Sequence, residues 1–352
     1  MKMIKERIKA IERQRLTKNP KPLITVDYVS LFITIDYKKF VFSIILCLAL
    51  LSIMVIFSIS LGAKSIAFSK VADVLLGNDP DSLEAAIILQ RIPRSVFGIL
   101  AGGALGISGA LMQSITRNPI ADPSILGVNT GASLFVVVGI AFFNITVAYQ
   151  YIWLAIIGAG VTAVFVYSVA SMGKDGATPL KLALSGSAVS IVLGSLVRFW
   201  QVGSIGSATW ENIMLISPFL IVGFIISMFI SGYLNNLALG DEAATALGTN
   251  VVMTRTIGAL SSVLLCGATT ALAGPIGFVG LIIPHIIRLI FGSEMSKMLP
   301  LSFLGSAILM LISDIIGRII SLPGETEVGI VTAVLGAPVF ILAIRKGRVK
   351  SL

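Results

Sequence analysis

The chain has 352 residues, 56% of them hydrophobic and 12% charged, with a mean hydropathy of +0.99. Soluble domains carry about 25% charged residues, so half that value with recurring apolar runs makes lipid the solvent for most of this chain and excludes an ordinary soluble enzyme. A net charge of +9 does not indicate nucleic acid here, because ten of the 26 Lys/Arg lie in residues 1–40 and four more between Arg345 and Lys350, beside apolar segments.

Residues 1–40 read as a basic cytoplasmic arm. Its first part is polar and ends in Asn-Pro-Lys-Pro, and residues 23–35 give no clear span. The first long apolar run starts near Val41, past the usual position of a signal peptide and with no convincing small-residue cleavage site, so it reads as a membrane helix. Residues 41–352 then hold ten predicted membrane helices, at 41–62, 93–115, 125–143, 152–172, 182–200, 213–234, 256–273, 276–291, 299–320 and 328–344. The eighth is short for a span and carries Pro284 between Pro275 and Gly292. Such a helix can be broken or tilted only where protein covers its freed backbone groups.

Loop charge tests the count. With the N-terminus inside, inside segments hold 20 of the Lys/Arg, and outside segments hold six: Lys64, Lys70, Arg91, Arg94, Arg198 and Arg318. That asymmetry supports ten helices with both termini cytoplasmic. Trp153, Trp200 and Trp210 fall near predicted outer helix ends, where amphipathic rings are favoured. Gly98, Gly102, Gly106 and Ala110 share one face of the second helix, either for close packing or for lining a path.

Little in the chain offers chemistry. One histidine, His285, cannot build a multi-histidine metal site, and it reads as a structural hydrogen bonder at the broken helix. Cys47 and Cys266 lie inside apolar runs without ligand spacing and read as volume fillers. No phosphate-cradling Gly-Lys-Ser/Thr loop exists, so ATP is not bound by that route. Asp314 is the clearest membrane-embedded acid, and a proton or sodium symporter usually needs a relay of such groups. An intramembrane enzyme would need a catalytic cluster, and the sequence offers none.

Two loop segments stand out. Leu239, Gly240, Asp241, Glu242, Ala243, Ala244, Thr245, Ala246, Leu247 and Gly248 spell a short helix on the inner side, with acids at its positive end and Gly248 suited to a left-handed cap. It is either a loop helix or a docking helix for a cytoplasmic motor. Arg91-Ile-Pro-Arg94, with Pro93 suited to a first helical turn, and Arg318 are predicted on the outer surface. There they either anchor helices to headgroups or form a docking site for acidic groups.

The ordered set of motifs from Arg91 to Ile344 resembles the FecCD-type permeases, the family of iron-siderophore, haem and cobalamin ABC importers. Its pieces are Arg91-Ile-Pro-Arg94, Ser108-Gly-Ala-Leu-Met-Gln113, Arg117-Asn-Pro-Ile-Ala-Asp-Pro123, Leu126-Gly127, Trp200 to Trp210 and Leu239 to Gly248. The longest, Gly274-Pro-Ile-Gly-Phe-Val-Gly-Leu-Ile-Ile-Pro-His-Ile-Ile-Arg288, is followed by Ser313-Asp-Ile-Ile-Gly-Arg318, Glu327-Val-Gly-Ile330 and Gly336-Ala-Pro338. The resemblance implies an all-α integral membrane fold of about ten transmembrane helices, like a type II ABC importer permease. It implies a homo- or heterodimer in the cell membrane, two cytoplasmic ATPase subunits, an extracytoplasmic solute-binding protein, and no directly bound cofactor. Leu239–Gly248 then matches the ATPase-coupling helix, and Arg91, Arg94 and Arg318 match the binding-protein docking arginines. Asn118 and Pro119 match the cytoplasmic gate, and the helix from Leu182 matches the one lining the path. The expected function is import of ferric-siderophore-type chelates by alternating access, without enzymatic activity on this chain. The alternatives are haem or cobalamin as cargo, or a secondary, ion-coupled transporter. Two departures stand out: the long arm 1–40, and Glu325-Thr-Glu-Val-Gly329, which lacks the proline usual in the family.

Overall fold

The computed structural model describes residues 26–346 apart from 79–81, 120, 173–178, 198–203, 207 and 322–323. The readings of residues 1–22, Lys174, Arg198, Trp200, Gly203, Arg348 and Lys350 lie outside these. Among the described residues are twelve α-helices and no strand: α1 (Val26–Ser60), α2 (Phe68–Leu75), α3 (Leu83–Ile115), α4 (Val128–Phe143), α5 (Ala148–Ala170), α6 (Pro179–Val197), α7 (Trp210–Leu237), α8 (Asp241–Ala246), α9 (Val251–Ala273), α10 (Val279–Phe291), α11 (Met295–Ile320) and α12 (Val328–Lys346). A 3-10 turn, Pro123–Leu126, precedes α4. The chain divides into Met1–Ser43, whose described part is the start of α1, and Ile44–Leu352, which holds everything that follows.

Six helices are long and apolar enough to cross a bilayer: α3, α5, α7, α9, α11 and the Tyr37–Ser60 part of α1. Shorter apolar stretches in α4, α6, α10 and α12 complete the ten expected segments. The protein is thus an all-helical, multi-pass membrane protein. Boundaries differ from expectation at α1, which starts at Val26 rather than near 41, and at α3, which starts ten residues earlier than predicted. Ser82 caps it by accepting a hydrogen bond from the Ala85 amide at 3.2 Å, and Glu84 lies in its first turn. Pro93 is therefore a buried interior residue rather than a first-turn one, and its ring costs the helix one backbone hydrogen bond.

Helix α3 is the hub of Ile44–Leu352, packing against α11, α9, α10 and α7. Its small residues serve that packing. A Cβ on Gly102 would lie 2.6 Å from the Ser306 carbonyl of α11, and one on Gly109 would run into the Gly280 backbone of α10. Backbones in lipid approach this closely only where side chains are absent. Of the two readings of the Gly98 stripe, close packing is the one observed. Hydroxyl pairs also join neighbours, Ser108 to Ser262 at 2.6 Å across α3–α9 and Ser227 to Ser261 at 2.9 Å across α7–α9.

The short α10 behaves as its sequence requires. Thirteen residues reach about 20 Å, well under the ~30 Å of a hydrocarbon core. The non-helical stretch before it is covered by protein: Ile276 is buried, and its carbonyl accepts from Asn129 Nδ2 at 3.1 Å. Asn129 Oδ1 in turn accepts from Cys266 Sγ at 2.6 Å and Thr270 Oγ1 at 3.0 Å, fastening α4 to α9. Phe278 takes a left-handed φ of 67° at the start of α10, held where Gly336 of α12 lies against its ring.

Beyond α1, the segment 61–67 and α2 cover the first turns of α3. Ile59, Ile66, Val71 and Ile88 form a small apolar cluster there, packed by Val55, Val74, Ile87 and Ile92.

Candidate functional site

Charged groups gather at both ends of α3. Arg94 and Arg117 are 23 residues apart along this helix and its exit, roughly 35 Å at 1.5 Å per residue, which is about a bilayer's hydrocarbon thickness.

At the Arg117 end, α8 stands between α7 and α9. Gly240 enters it at φ 110° and Gly248 leaves it at φ 80°, conformations that only glycine takes readily. Two turns are too short to persist alone, and local contacts supply the support. Ala244 is fully buried, the Thr249 amide donates to the Ala244 carbonyl at 2.9 Å, and Asn236 Nδ2 donates to Thr249 Oγ1 at 2.9 Å. The opposite side, with Leu239, Glu242, Ala243, Ala246 and Leu247, is exposed. Asp241 is half-exposed beside Glu242 and has ion partners within the chain. Its Oδ1 accepts from Arg117 Nη2 and, at 3.0 Å, from Arg255 Nη2 of α9.

Arg117 ends α3 in left-handed backbone, φ 50°, and starts the loop carrying Asn118 and Pro119. His285 of α10 lies beside the Pro119 backbone, and its buried Nδ1 makes no hydrogen bond. Asn118 and Leu182 line one small cavity with Met112, Thr116, Ala121, Asp122 and Leu126, so two of the three predicted gate and path residues come together. Asp122, unassigned from sequence, is buried in this loop and caps the 3-10 turn through the amide of Ser124 at 2.9 Å and its hydroxyl at 2.6 Å. Burial pushes its carboxyl pKa up, with the Ser124 bonds opposing the shift.

The other end corrects one expectation. Arg318 is not on the surface: its side chain and that of Asp314 are each 2% exposed. Arg318 Nη1 donates to the Ser58 and Leu61 carbonyls of the α1 exit at 2.8 and 2.9 Å, and Nη2 donates to Ser58 Oγ at 3.0 Å. Nη2 also lies 3.0 Å from Asp314 Oδ2, a charge contact whose angle makes no hydrogen bond. A guanidinium can be buried only when paired, and the i,i+4 carboxylate plus the orphan carbonyls ending α1 meet that condition. Arg94 is 13% exposed, donates to Asp314 Oδ1 at 2.8 and 3.0 Å, and reaches Glu325 Oε2 at 2.7 Å. Arg91 turns back to the Ile59, Ser60 and Lys64 carbonyls at 2.8, 3.1 and 2.7 Å. The three arginines thus share a neighbourhood with two acids, and Arg94 and Arg318 converge on Asp314.

A bundle of membrane-crossing helices with an acidic helix looped out at one end and an arginine network at the other is the architecture of a membrane permease. The chain belongs to the FecCD transport family, whose model matches residues 50–346. It is 41% identical over 315 residues to the ferric enterobactin transport system permease protein FepD of Escherichia coli, covering 85% of this chain and 93% of that one. It is 40% identical over 304 residues to the Fe(3+)-citrate import system permease protein YfmD of Bacillus subtilis, covering 83% and 90%. A solved metal-chelate type ABC transporter in an inward-facing conformation matches with a TM-score of 0.73 and 27% identity, over 88% of this chain and all of that one.

Proposed function

We propose that this chain is the permease subunit of an ATP-driven importer of ferric chelates of the siderophore and citrate type, working by alternating access. The family match over residues 50–346, together with relatives named for ferric enterobactin and Fe(3+)-citrate, carries this reading. Two cytoplasmic ATPase subunits supply the energy, and a second permease subunit, identical or related, completes the path. Both termini are cytoplasmic, as is the arm 1–40, and the helices Leu239–Gly248 and the gate loop face that side.

Helix α8 is the proposed ATPase contact. The exposed Leu239, Glu242 and Leu247 on a helix braced from behind support that role, since a motor needs a rigid element to push. Asn118, Pro119 and Leu182 belong to the gate and path, supported by the cavity that Asn118 and Leu182 share. On the outer side, a binding protein docks through Arg94 and Arg91, with Arg318 holding their frame from inside. Asp314, closed between two guanidinium groups, speaks against an ion-coupled carrier, which needs an acid free to take up its ion.

The test is uptake of iron-55 ferric citrate and ferric enterobactin into proteoliposomes containing the permease, its co-purifying ATPase and the cognate binding protein. Uptake that needs ATP and persists without ion gradients is expected. Uptake driven by a proton or sodium gradient without ATP would refute the reading.

A further inference from the structure

We infer that Asp241 is a latch which joins the ATPase-contacting helix to the gate loop, with Arg117 and Arg255 as its two receivers. This rests on the importer reading and gives Asp241, within the predicted coupling segment, two partners that lie outside the predicted coupling and gate sets. An acid in the first turn of a short looped-out helix would ordinarily face solvent or a partner, as Glu242 does. Asp241, its side chain half-exposed, is instead engaged within the chain, where one oxygen receives a guanidinium N–H from Arg117 and another from Arg255.

The consequence follows from where the two cations sit. Arg117 follows Thr116, the C-cap of α3, and leads directly into Asn118 and Pro119. Arg255 is in the first turns of α9. Displacing α8 therefore moves a connected set: Asp241 pulls the gate loop through Arg117, and Arg255 keeps α9 in register. The connection uses charge rather than packing. At this place α8 offers the gate loop a carboxylate, and the loop meets it with a residue in strained left-handed backbone. An ion pair can also break and re-form over a stroke without unpacking an apolar core. Energetic transmission of this kind is demonstrated only by coupling between the two groups, so the test is a mutant cycle.

The experiment uses the permease–ATPase complex in proteoliposomes, with Asn118→Cys as reporter in a Cys47→Ala background and a membrane-impermeant maleimide as probe. Labelling rate is read with and without ATP plus vanadate. The nucleotide-dependent change in rate is expected to fall at least about fivefold in Arg117→Gln and in Asp241→Asn, the lower range of allosteric coupling. The double variant should be no worse than either single one. Arg117→Lys, which keeps the charge, should recover at least half of the response. A response in Arg117→Gln within twofold of the parent, losses that multiply in the double variant, or a lysine no better than glutamine would each overturn the latch. Where Arg117→Gln yields no folded complex, Arg255→Gln carries the test, and an unchanged response overturns the proposal. A parent permease that retains no ATPase instead refutes the importer reading. A retained ATPase with an undiminished response refutes the latch alone.

Discussion

Replacing Asp314 by asparagine tests the arginine network most directly. The change is nearly isosteric and removes one charge from between Arg94 and Arg318. If Asn Oδ1 keeps the place of the oxygen facing Arg94, its NH₂ faces Arg318 Nη2, so donor meets donor where a carboxylate oxygen stood. Arg318, 2% exposed, then keeps its Ser58 and Leu61 partners but loses its counter-charge, and Arg94 retains Glu325 alone. Breaking a buried ion pair by removing one partner costs about 3–5 kcal/mol. At about 2–4 °C per kcal/mol, the thermal unfolding midpoint of the purified protein should fall by roughly 6–20 °C. The double variant Asp314→Asn, Arg318→Met should recover part of that loss, because the stranded cation goes with the acid. The assay is thermal unfolding in one detergent, followed by tryptophan fluorescence. A shift under about 2 °C for the single variant, or a double variant whose losses simply add, would show that the guanidinium groups are solvated and that the network is not a buried one.

Four further variants have expected outcomes. Gly109→Ala should destabilise the protein by about 1–3 kcal/mol in the same assay, because the new methyl meets the Gly280 backbone rather than a movable side chain. Asn129→Leu should cost about 1–3 kcal/mol by leaving the buried Ile276 carbonyl unpaired in the break before α10, whereas Glu242→Lys, exposed, should change stability by under about 0.5 kcal/mol while weakening ATPase retention on an affinity column. Asp122 gives a pH dependence: its folded pKa is raised, so its contribution to stability is full below the ordinary carboxylate pKa and is lost as pH rises through the raised value. Asp122→Asn, which keeps an acceptor for the Ser124 amide, should flatten that window in thermal unfolding measured across pH and leave the protein at least as stable at neutral pH.

The ten apolar segments were legible because lipid imposes its own length rule on a spanning helix, and α8 because Gly240 and Gly248 bracket it. The start of α3 was not, since Arg91, Pro93 and Arg94 look like a boundary when read alone. They lie instead in a helix whose first turns are covered by α2, a packing partner with no signal of its own in hydropathy. Arg318 reads as an outer-surface residue, headgroup anchor or docking arginine, because it comes near the end of an apolar run. The i,i+4 spacing from Asp314 was the available sign that it turns inward. Asp314 to Arg94 and Asp241 to Arg117 join residues 220 and 124 positions apart, and no local pattern encodes such pairs. Asp122 was hidden inside a motif, where its role is visible only once Gly280 and the cavity close around it.

The length of α3 has a consequence for anything that approaches the arginine network. Thirty-three residues give about 50 Å of helix, some 20 Å more than the hydrocarbon needs. The surplus carries the Lys64–Glu84 pair at 2.6 Å, and the apolar cluster around Ile88 wraps it on one side. It is a stub with a dry centre of its own, rising beside the buried arginines. The relief of this end of the molecule is therefore set by the height of that stub as much as by the charges beside it.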